Sequence, residues 1–367
     1  MNTNLTSKTI QASISELYEK TDDNIISVGY GFKRVGDTFT NEKCLIFGVR
    51  EKKPLQQISE DQIIPKFLLV GDEIIKTDVQ ERNKIVAMSN CDSSFYTWQG
   101  STPGNRSTIN PLQGGASAIN VTEFPGNACT LGFLAKDLLD DSTVGISNAH
   151  CAASRPFSPA AIPYTGVYAG NDIIQPSEGG DPIGFVKRFV FIYPALTNTV
   201  DVAVYSLKDE VLGPDSRYKQ YGLAGMTADL PWASSQEISN LLTSDPLLYS
   251  SGRTTGAKGE GSVKLRVNQI GAEIEVGYYG DSTVAKFGGC IGFVAAPGSE
   301  TRPFSTQCHW PIKGGDSGSC LIADIGGVKK VIGLVFAGAQ NEDGICIEGY
   351  ACHIQEVAKM ACIASFV

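Results

Sequence analysis

Ser317 lies within GGDSGS, residues 314 to 319, where glycines surround an Asp-Ser pair. A serine on such a strained, glycine-rich turn can present its hydroxyl as a nucleophile. The hydroxyl is a poor nucleophile at neutral pH, so it needs a base within hydrogen-bond reach and a third group that orients the base. The sequence therefore raises the hypothesis of a serine nucleophile whose partners lie elsewhere in the chain.

The chain contains three histidines, which restricts the candidates for the base. Histidine changes charge near neutral pH and so suits a general base. His150 ends the strand-like run VGISNAHCAA and precedes small residues and a proline-containing loop. His309 lies shortly before Ser317, and His353 starts the predicted last helix. The setting of His150 favours it over the other two.

The orienting acid is expected on another strand, and Asp201 heads the apolar segment DVAVYSL. An unpaired carboxylate would be costly to bury there, so a partner is expected. Asp201 could instead be a turn residue that begins the strand. Asp172 and Asp181 are alternatives by their order in the chain, but each lies in a loop rich in glycine and proline.

From about residue 121 to 367, the chain resembles the chymotrypsin-like (trypsin-like) serine proteases, through SNAHC, DVAVYSL and GGDSGS in that order. The order His, Asp, Ser separates this class from subtilisin-type and α/β-hydrolase enzymes. The resemblance implies that His150 is general base and then acid, that Asp201 fixes its tautomer and that Ser317 attacks a peptide carbonyl. It also implies an oxyanion hole formed by the backbone N–H groups of Gly315 and Ser317.

The resemblance extends to the substrate-binding strands. IGLVFAGA resembles the strand that pairs with the substrate backbone, with Phe336, Ala337 and Gly338 at the contacts. EGYACHI resembles the far wall of the specificity pocket, with Gly349 leaving it open. Both runs are equally compatible with plain core strands. Pro311 stands where trypsin-type enzymes carry an acid, so cleavage after Lys or Arg is not expected.

Two features depart from the secreted members of this class. Those enzymes release an Ile-Val N-terminus whose amine pairs with the aspartate before the serine, here Asp316, and this chain has no such sequence after a basic residue. Asp316 is therefore expected to need another partner. The cysteine after the histidine pairs in secreted members with one on the preceding strand, here Cys151 and Cys129. In a cytosolic protein both are expected to remain thiols.

The predicted fold class is mainly β: a chymotrypsin-like double β-barrel with a small N-terminal α+β unit and a C-terminal helix. The N-terminal unit, with VGYGF, FGVREKKPL and IIPKFLLVGDEIIKTDV, resembles more loosely the leader segment of intracellular bacterial trypsin-like peptidases related to plant narrow-leaf proteins. Oligomerisation, docking of a regulator and intramolecular inhibition are its candidate roles. The predicted ranges are 1–87 for this unit, 88–120 for an irregular linker, and about 121–210, 211–258 and 259–367 for barrel one, the connection, and barrel two with the helix.

Composition excludes several partners. With 42% hydrophobic and 19% charged residues, a net charge of −9 and no long basic run, no nucleic-acid partner is expected. The apolar runs are strand-sized and no secretory signal is recognisable, so no membrane association and a cytoplasmic location are expected. The ten scattered cysteines are expected to be reduced. No zinc-type spacing occurs, so neither a metal nor a cofactor is expected.

The sequence thus predicts an intracellular serine endopeptidase that acts on a protein or peptide substrate, by limited proteolysis of a partner. One alternative is a catalytically silent module that keeps the protease fold to bind peptides. Another is a non-peptidase acyl hydrolase, which a small ester tested beside a peptide library would distinguish. Sequence alone leaves all three open.

Overall fold

The computed structural model describes residues 7–19, 23–36, 38–88, 106–122, 128–153, 157, 171–177, 179–226, 230–259, 263–278, 283–296, 311–342 and 344–366. The helices are α1 (Ser7–Glu19), α2 (Ala149–Ala152), α3 (Ser235–Ser239), α4 (Leu241–Ser244) and α5 (Ile354–Ala361). The strands are β1 (Ile25–Val35), β2 (Thr38–Val49), β3 (Phe67–Val70), β4 (Glu73–Glu81), β5 (Lys84–Ala87), β6 (Ser117–Asn120), β7 (Cys129–Thr130), β8 (Phe133–Asp137), β9 (Thr143–Ser147), β10 (Asp172–Gln175), β11 (Asp181–Phe189), β12 (Thr197–Asn198), β13 (Ala203–Leu207), β14 (Leu248–Gly252), β15 (Gly256–Lys258), β16 (Leu265–Tyr278), β17 (Thr283–Ala295), β18 (Cys320–Ile325), β19 (Val328–Gln340), β20 (Cys346–His353) and β21 (Ile363–Ala364).

The strands form two sheets, and the mainly β prediction is confirmed. The first sheet has the order β21-β8-β9-β13-β11-β10-β6-β7. The second has the order β12-β17-β20-β19-β18-β14-β16-β1-β2-β4-β3, with β15 beside β14 and β5 beside β16 and β19. One large hydrophobic cluster contains buried residues from both sheets, so the two halves share a core.

In the first sheet, β8, β9 and β13 correspond to short apolar runs bounded by polar turns, which is the pattern expected for buried strands. In the second sheet, β19 is buried at every position from 331 to 339, which matches its continuous apolar run VIGLVFAGA. Residues 117 to 120, within the predicted irregular linker, form β6 and pair with β7 and β10. This short buried strand was not predicted, because the sequence around it is rich in serine, glycine and asparagine. From the predicted connection, β14 and β15 join the second sheet.

The N-terminal residues extend the second sheet. β1 pairs antiparallel with β16, and β2 pairs with both β1 and β4. Helix α1 covers this part of the sheet, because Ile10, Ile14 and Tyr18 recur every four residues and are all buried. Those side chains form a second hydrophobic cluster with residues of β1 and β2, including Val28 and Leu45. The N-terminal residues therefore have their own small core but share a sheet with the C-terminal half.

The predicted C-terminal helix is α5. His353 is its N-cap residue, because the imidazole Nδ1 accepts a hydrogen bond from the backbone N–H of Gln355 at 3.1 Å. Burial lowers the pKa of His353 below its usual value of 6.5, and Glu356 opposes this shift. The neutral imidazole, which can accept the capping bond, is thus the favoured form in the folded protein.

His353→Ala is expected to lower the free energy of unfolding by about 1 kcal/mol, because the cap is lost. His353→Asn should restore most of it, since Asn is also a good cap. The folded pKa lies below 6.5, so the stabilisation by His353 is present above pH 6.5 and lost as pH falls towards the folded pKa. Urea unfolding at pH 7.5 and 5.5 measures this. An equal loss of stability on acidification in wild type and His353→Asn would contradict the assignment.

Among the residues that the structure describes, no helix is both long enough and apolar enough to cross a membrane.

Candidate active site

The three predicted catalytic residues meet between the two sheets. The Nδ1 atom of His150 lies 2.5 Å from Oδ2 of Asp201. The Nε2 atom of His150 lies 2.9 Å from the hydroxyl oxygen of Ser317. All three side chains are fully buried. The structure therefore brings together residues that are 51 and 167 positions apart in the chain.

The fold determines where each of the three is held. His150 lies in α2 directly after β9, and Asp201 lies just before β13, which pairs with β9. The first sheet therefore carries the imidazole and the carboxylate on neighbouring strands. Ser317 lies in the turn before β18 of the second sheet.

The carboxylate of Asp201 is fixed by several donors. The backbone N–H of His150 donates to Oδ1 at 3.2 Å, and the hydroxyl of Tyr278 donates to Oδ2 at 3.0 Å. A carboxylate only accepts hydrogen bonds, so Nδ1 of His150 carries the proton and Nε2 is left to accept from Ser317. This is the tautomer that a general base requires. Tyr278 was not predicted, because nothing in the local sequence of β16 connects it with Asp201.

The backbone of Asp201 is held as well. Its carbonyl accepts from the side-chain amide of Asn148 at 2.7 Å, and its N–H donates to the sulfur of Cys352 at 3.3 Å. Burial, followed by the charge of Asp201, raises the pKa of the Cys352 thiol, which keeps that sulfur neutral beside the carboxylate. The acid is therefore rigidly placed from both sheets.

The turn that carries Ser317 requires its glycines. Gly315 and Gly318 have φ angles of 92° and 89°, in the region that favours glycine. A Cβ atom at Gly318 would collide with the carbonyl oxygen of Thr130. The backbone N–H of Thr130 donates to the carbonyl of Ser317 at 2.8 Å, and the Thr130 hydroxyl donates to the carbonyl of Gly315 at 2.8 Å. The first sheet thus fixes the turn at both ends.

Asp316 has found the alternative partners that the sequence called for. Its Oδ1 accepts the backbone N–H groups of Thr254 and Thr255 at 2.8 and 3.0 Å. Its Oδ2 accepts the Thr255 hydroxyl at 2.7 Å and the backbone N–H of Lys313 at 3.0 Å. The Thr254 hydroxyl donates to the carbonyl of Gly314 at 2.6 Å. The loop between β14 and β15 therefore holds the turn of Ser317 through hydrogen bonds to Gly314 and Asp316.

The alternative candidates lie elsewhere. Asp172 begins β10 and Asp181 begins β11, and both are exposed. His353 caps α5, and His309 lies outside the described residues. None of the described alternatives contacts the pair formed by His150 and Ser317.

The predicted substrate-binding strand β19 pairs with β5. In this antiparallel pairing, Ala337 is opposite Ala87 and Gly338 is opposite Val86. The carbonyl of Phe336 accepts the backbone N–H of Met88 at 3.0 Å. A segment from the N-terminal part of the chain therefore lies along the strand at which the resemblance implies substrate binding.

The other predicted pocket residue, Gly349, pairs with Gly338 across β19 and β20. A Cβ atom at Gly349 would collide with the ring of Phe293. Gly349 thus admits an aromatic ring of β17 to the space beside its backbone. At Gly338 the neighbour is a side chain from the N-terminal part of the chain, since a Cβ there would lie 2.8 Å from the terminal methyl of Met88.

Cys129 and Cys151 form a disulfide that links β7 to α2 next to His150. The prediction of reduced thiols is wrong for this pair, because β7 of the first sheet and the helix α2 bring the two sulfur atoms together. Their sulfurs and His150 form a group with possible metal-ligand atoms, but the disulfide uses both thiolates. Cys44, Cys290, Cys320, Cys346, Cys352 and Cys362 are free thiols.

No protein-family model matches the chain, and no curated protein has a significantly similar sequence. Among solved structures, the chain is similar to the Nocardiopsis protease NAPase, with 15% identity over 70% of this chain and 99% of that chain, and a TM-score of 0.42. It is also similar to Thermobifida fusca protease A, with 12% identity over 69% of this chain and 97% of that chain, and a TM-score of 0.42.

The fold is of the chymotrypsin-like class. Its first sheet carries the histidine and the aspartate, its second carries the serine, and a C-terminal helix follows the last long strand. This is the division between two halves that the order of the three motifs predicts.

Proposed function

We propose that the protein is a serine endopeptidase that cleaves peptide bonds through an acyl-enzyme intermediate. The main support is the continuous series of short contacts from Asp201 through His150 to Ser317, with the hydroxyl oxygen 2.9 Å from Nε2. Such a series is what a serine needs to act as a nucleophile at neutral pH. Its residue types and geometry need no metal or cofactor.

Each side chain then has one task. His150 takes the proton of Ser317 through Nε2 as the oxygen attacks the carbonyl carbon, and it later gives a proton to the leaving amine. Asp201 stabilises the imidazolium that forms, through the contact at Nδ1. A water molecule then hydrolyses the acyl ester by the same exchange of protons, which regenerates the serine.

The negative charge that develops on the carbonyl oxygen needs donors. The backbone N–H groups of Gly315 and Ser317 are proposed for this role, and the left-handed conformation of Gly315 directs its amide to one side of the turn. Removing one such donor typically lowers the rate by about a hundredfold or more.

A peptide substrate suits the site because β19 already binds an extended segment, β5, through its backbone groups. Adding a strand to a sheet edge gives affinity through the main chain and specificity through the side-chain pockets. We also propose a protein or peptide substrate cleaved at few positions, in a cytoplasmic setting. The contribution of the N-terminal residues to self-association or regulation is a proposal of the same kind.

A fluorophosphonate probe is expected to label the protein at Ser317, because the activated hydroxyl attacks phosphorus. Mass spectrometry of the labelled peptide locates the probe, and Ser317→Ala and His150→Ala are expected to prevent labelling. The same probe is applied to Met88→Asp, in which we expect the buried carboxylate to displace the segment along β19. Absence of labelling in both the wild type and Met88→Asp would contradict the proposed function.

One observation favours a second candidate, a peptide-binding module without turnover: an extended segment already lies along β19. Such a module would bind added peptide equally well after His150→Ala and would hydrolyse none in either form. Hydrolysis by the wild type that is lost in His150→Ala would exclude it. A small ester tested beside the peptide separates a peptidase from a general acyl hydrolase.

A further inference from the structure

The segment Lys84–Met88 is bound in the way an extended substrate would be. Four of its residues pair antiparallel with β19, from Lys84 opposite Gln340 to Ala87 opposite Ala337. The backbone N–H of Met88 continues the ladder by donating to the carbonyl of Phe336 at 3.0 Å. The backbone pairing with β19 therefore runs without interruption from Lys84 to Met88.

The carbonyl of Met88 lies at the proposed oxyanion hole. Its oxygen accepts the backbone N–H of Gly315 at 2.6 Å, the donor that the proposed function assigns to the transition state. The hydroxyl of Ser317 lies 3.3 Å from the carbonyl oxygen of Phe336, and that same oxygen accepts the N–H of Met88. Because they share this acceptor, the nucleophile and the backbone of Met88 are neighbours.

The side chain of Met88 is buried, with 2% of its surface exposed. Its sulfur lies 3.6 Å from the sulfur of Cys346, and its terminal methyl lies against Gly338. Burial raises the pKa of the Cys346 thiol to about 12, so the thiol beside Met88 is neutral at neutral pH. A pocket walled by a neutral thiol and a glycine suits a long, unbranched apolar side chain, and it agrees with the expectation that Lys and Arg are not favoured.

The segment is held from its N-terminal side as well. Asn83 donates its backbone N–H to the carbonyl of Gln340 at 3.1 Å. The guanidinium of Arg82 is buried against the carboxylate of Glu348 at 2.6 Å. The chain continues from Met88 to Ser89, so the carbonyl at Gly315 belongs to an internal peptide bond.

We propose that the protein cleaves its own chain after Met88, and that its specificity pocket selects methionine or a similar side chain at the cleaved bond. This inference rests on the proposed function. Ser317 Oγ forms a bond to the carbonyl carbon of Met88, the bond to the nitrogen of Ser89 breaks, and His150 transfers the serine proton to that nitrogen. Water then converts the ester to the carboxylate of Met88 and restores the hydroxyl of Ser317.

Self-cleavage produces fragments 1–88 and 89–367. The first fragment stays attached through β1 and β2, which belong to the same sheet as β16. Its new carboxylate leaves the pocket only as β5 separates from β19.

The test uses the full-length protein at neutral pH, with intact-mass measurement and N-terminal sequencing over time. The wild type is expected to yield a new N-terminus at Ser89, with a half-life that does not depend on protein concentration. Ser317→Ala should stay intact. Met88→Asp should cleave at least about a hundredfold more slowly, because a carboxylate is unfavourable in an apolar pocket, and Met88→Leu should stay within about tenfold of wild type. Met360→Ala, an exposed methionine on α5, is the matched control and should behave as wild type.

An added peptide, KIVAMSN, separates the two hypotheses and controls for misfolding. Met88→Asp is expected to hydrolyse it between Met and Ser, at least as fast as the wild type does. A wild-type chain that stays intact while KIVAMSN is hydrolysed would overturn the self-cleavage proposal and leave the proposed function standing. Hydrolysis of neither substrate, with no probe labelling, would overturn both. A first-order rate constant that rises with protein concentration would overturn cleavage within one chain.

Discussion

Asp201→Asn is expected to lower kcat by about 10⁴-fold and to leave the fold intact. In the wild type, Oδ2 accepts from Nδ1 of His150 and from the Tyr278 hydroxyl, while Oδ1 accepts the backbone N–H of His150. An amide has one accepting oxygen, so its NH₂ group must face one of these donors. The imidazole then turns to the tautomer with a proton on Nε2, which cannot accept from Ser317.

The measurement is kcat for hydrolysis of KIVAMSN, together with the rate of appearance of the Ser89 N-terminus. Asp172→Asn, at an exposed position of the first sheet, is the control and should retain the wild-type value. Circular dichroism checks that both variants fold. An Asp201→Asn enzyme within tenfold of the wild type would show that the carboxylate does not set the tautomer.

Arg82→Met is expected to lower the free energy of unfolding by about 3–5 kcal/mol, because it leaves the charge of Glu348 buried and uncompensated. Both side chains are almost completely buried. The other carboxylate oxygen of Glu348 accepts from Asn268 at 2.7 Å and from Gln269 at 2.6 Å. This network joins the short connection between β4 and β5 to β16 and β20, so its loss should also weaken the attachment of β5.

Urea unfolding of Arg82→Met, Glu348→Met and the double variant forms a double-mutant cycle. The double variant should be clearly more stable than Arg82→Met, because no isolated charge remains. Lys136→Met removes an exposed ion pair with Asp141 and should change stability by less than about 1 kcal/mol. A loss at Arg82 no larger than that at Lys136 would contradict the argument.

The meeting of His150, Asp201 and Ser317 was predictable because each lies in a short motif with a local signature. The glycines of GGDSGS describe a turn that few other residues can form, and DVAVYSL is recognisable as a buried strand with an acid at its head. The order of the motifs then implied a histidine and an aspartate on one sheet and a serine on the other. The structure has this division.

The remaining features depend on pairings between distant segments, which no local pattern encodes. The hydroxyl of Tyr278 reaches Asp201 from the other sheet, and Thr254 and Thr255 reach Asp316 from a loop that reads only as a polar turn. The placement of Met88 against Gly315 depends on the register between β5 and β19, which are distant in the sequence. For Cys129 and Cys151, the expectation of free thiols depended on an assumed cytosolic location and not on geometry, and that location remains a prediction.

Amides and a hydroxyl from one loop, with a neighbouring backbone N–H, saturate the Asp316 carboxylate. A newly liberated amino group would therefore find this acid already engaged. The turn that carries Ser317 is already formed in the intact chain, so cleavage upstream is not needed to order it. In the proposed peptidase, the onset of activity therefore requires that the substrate-binding groove be emptied, and not that it be formed.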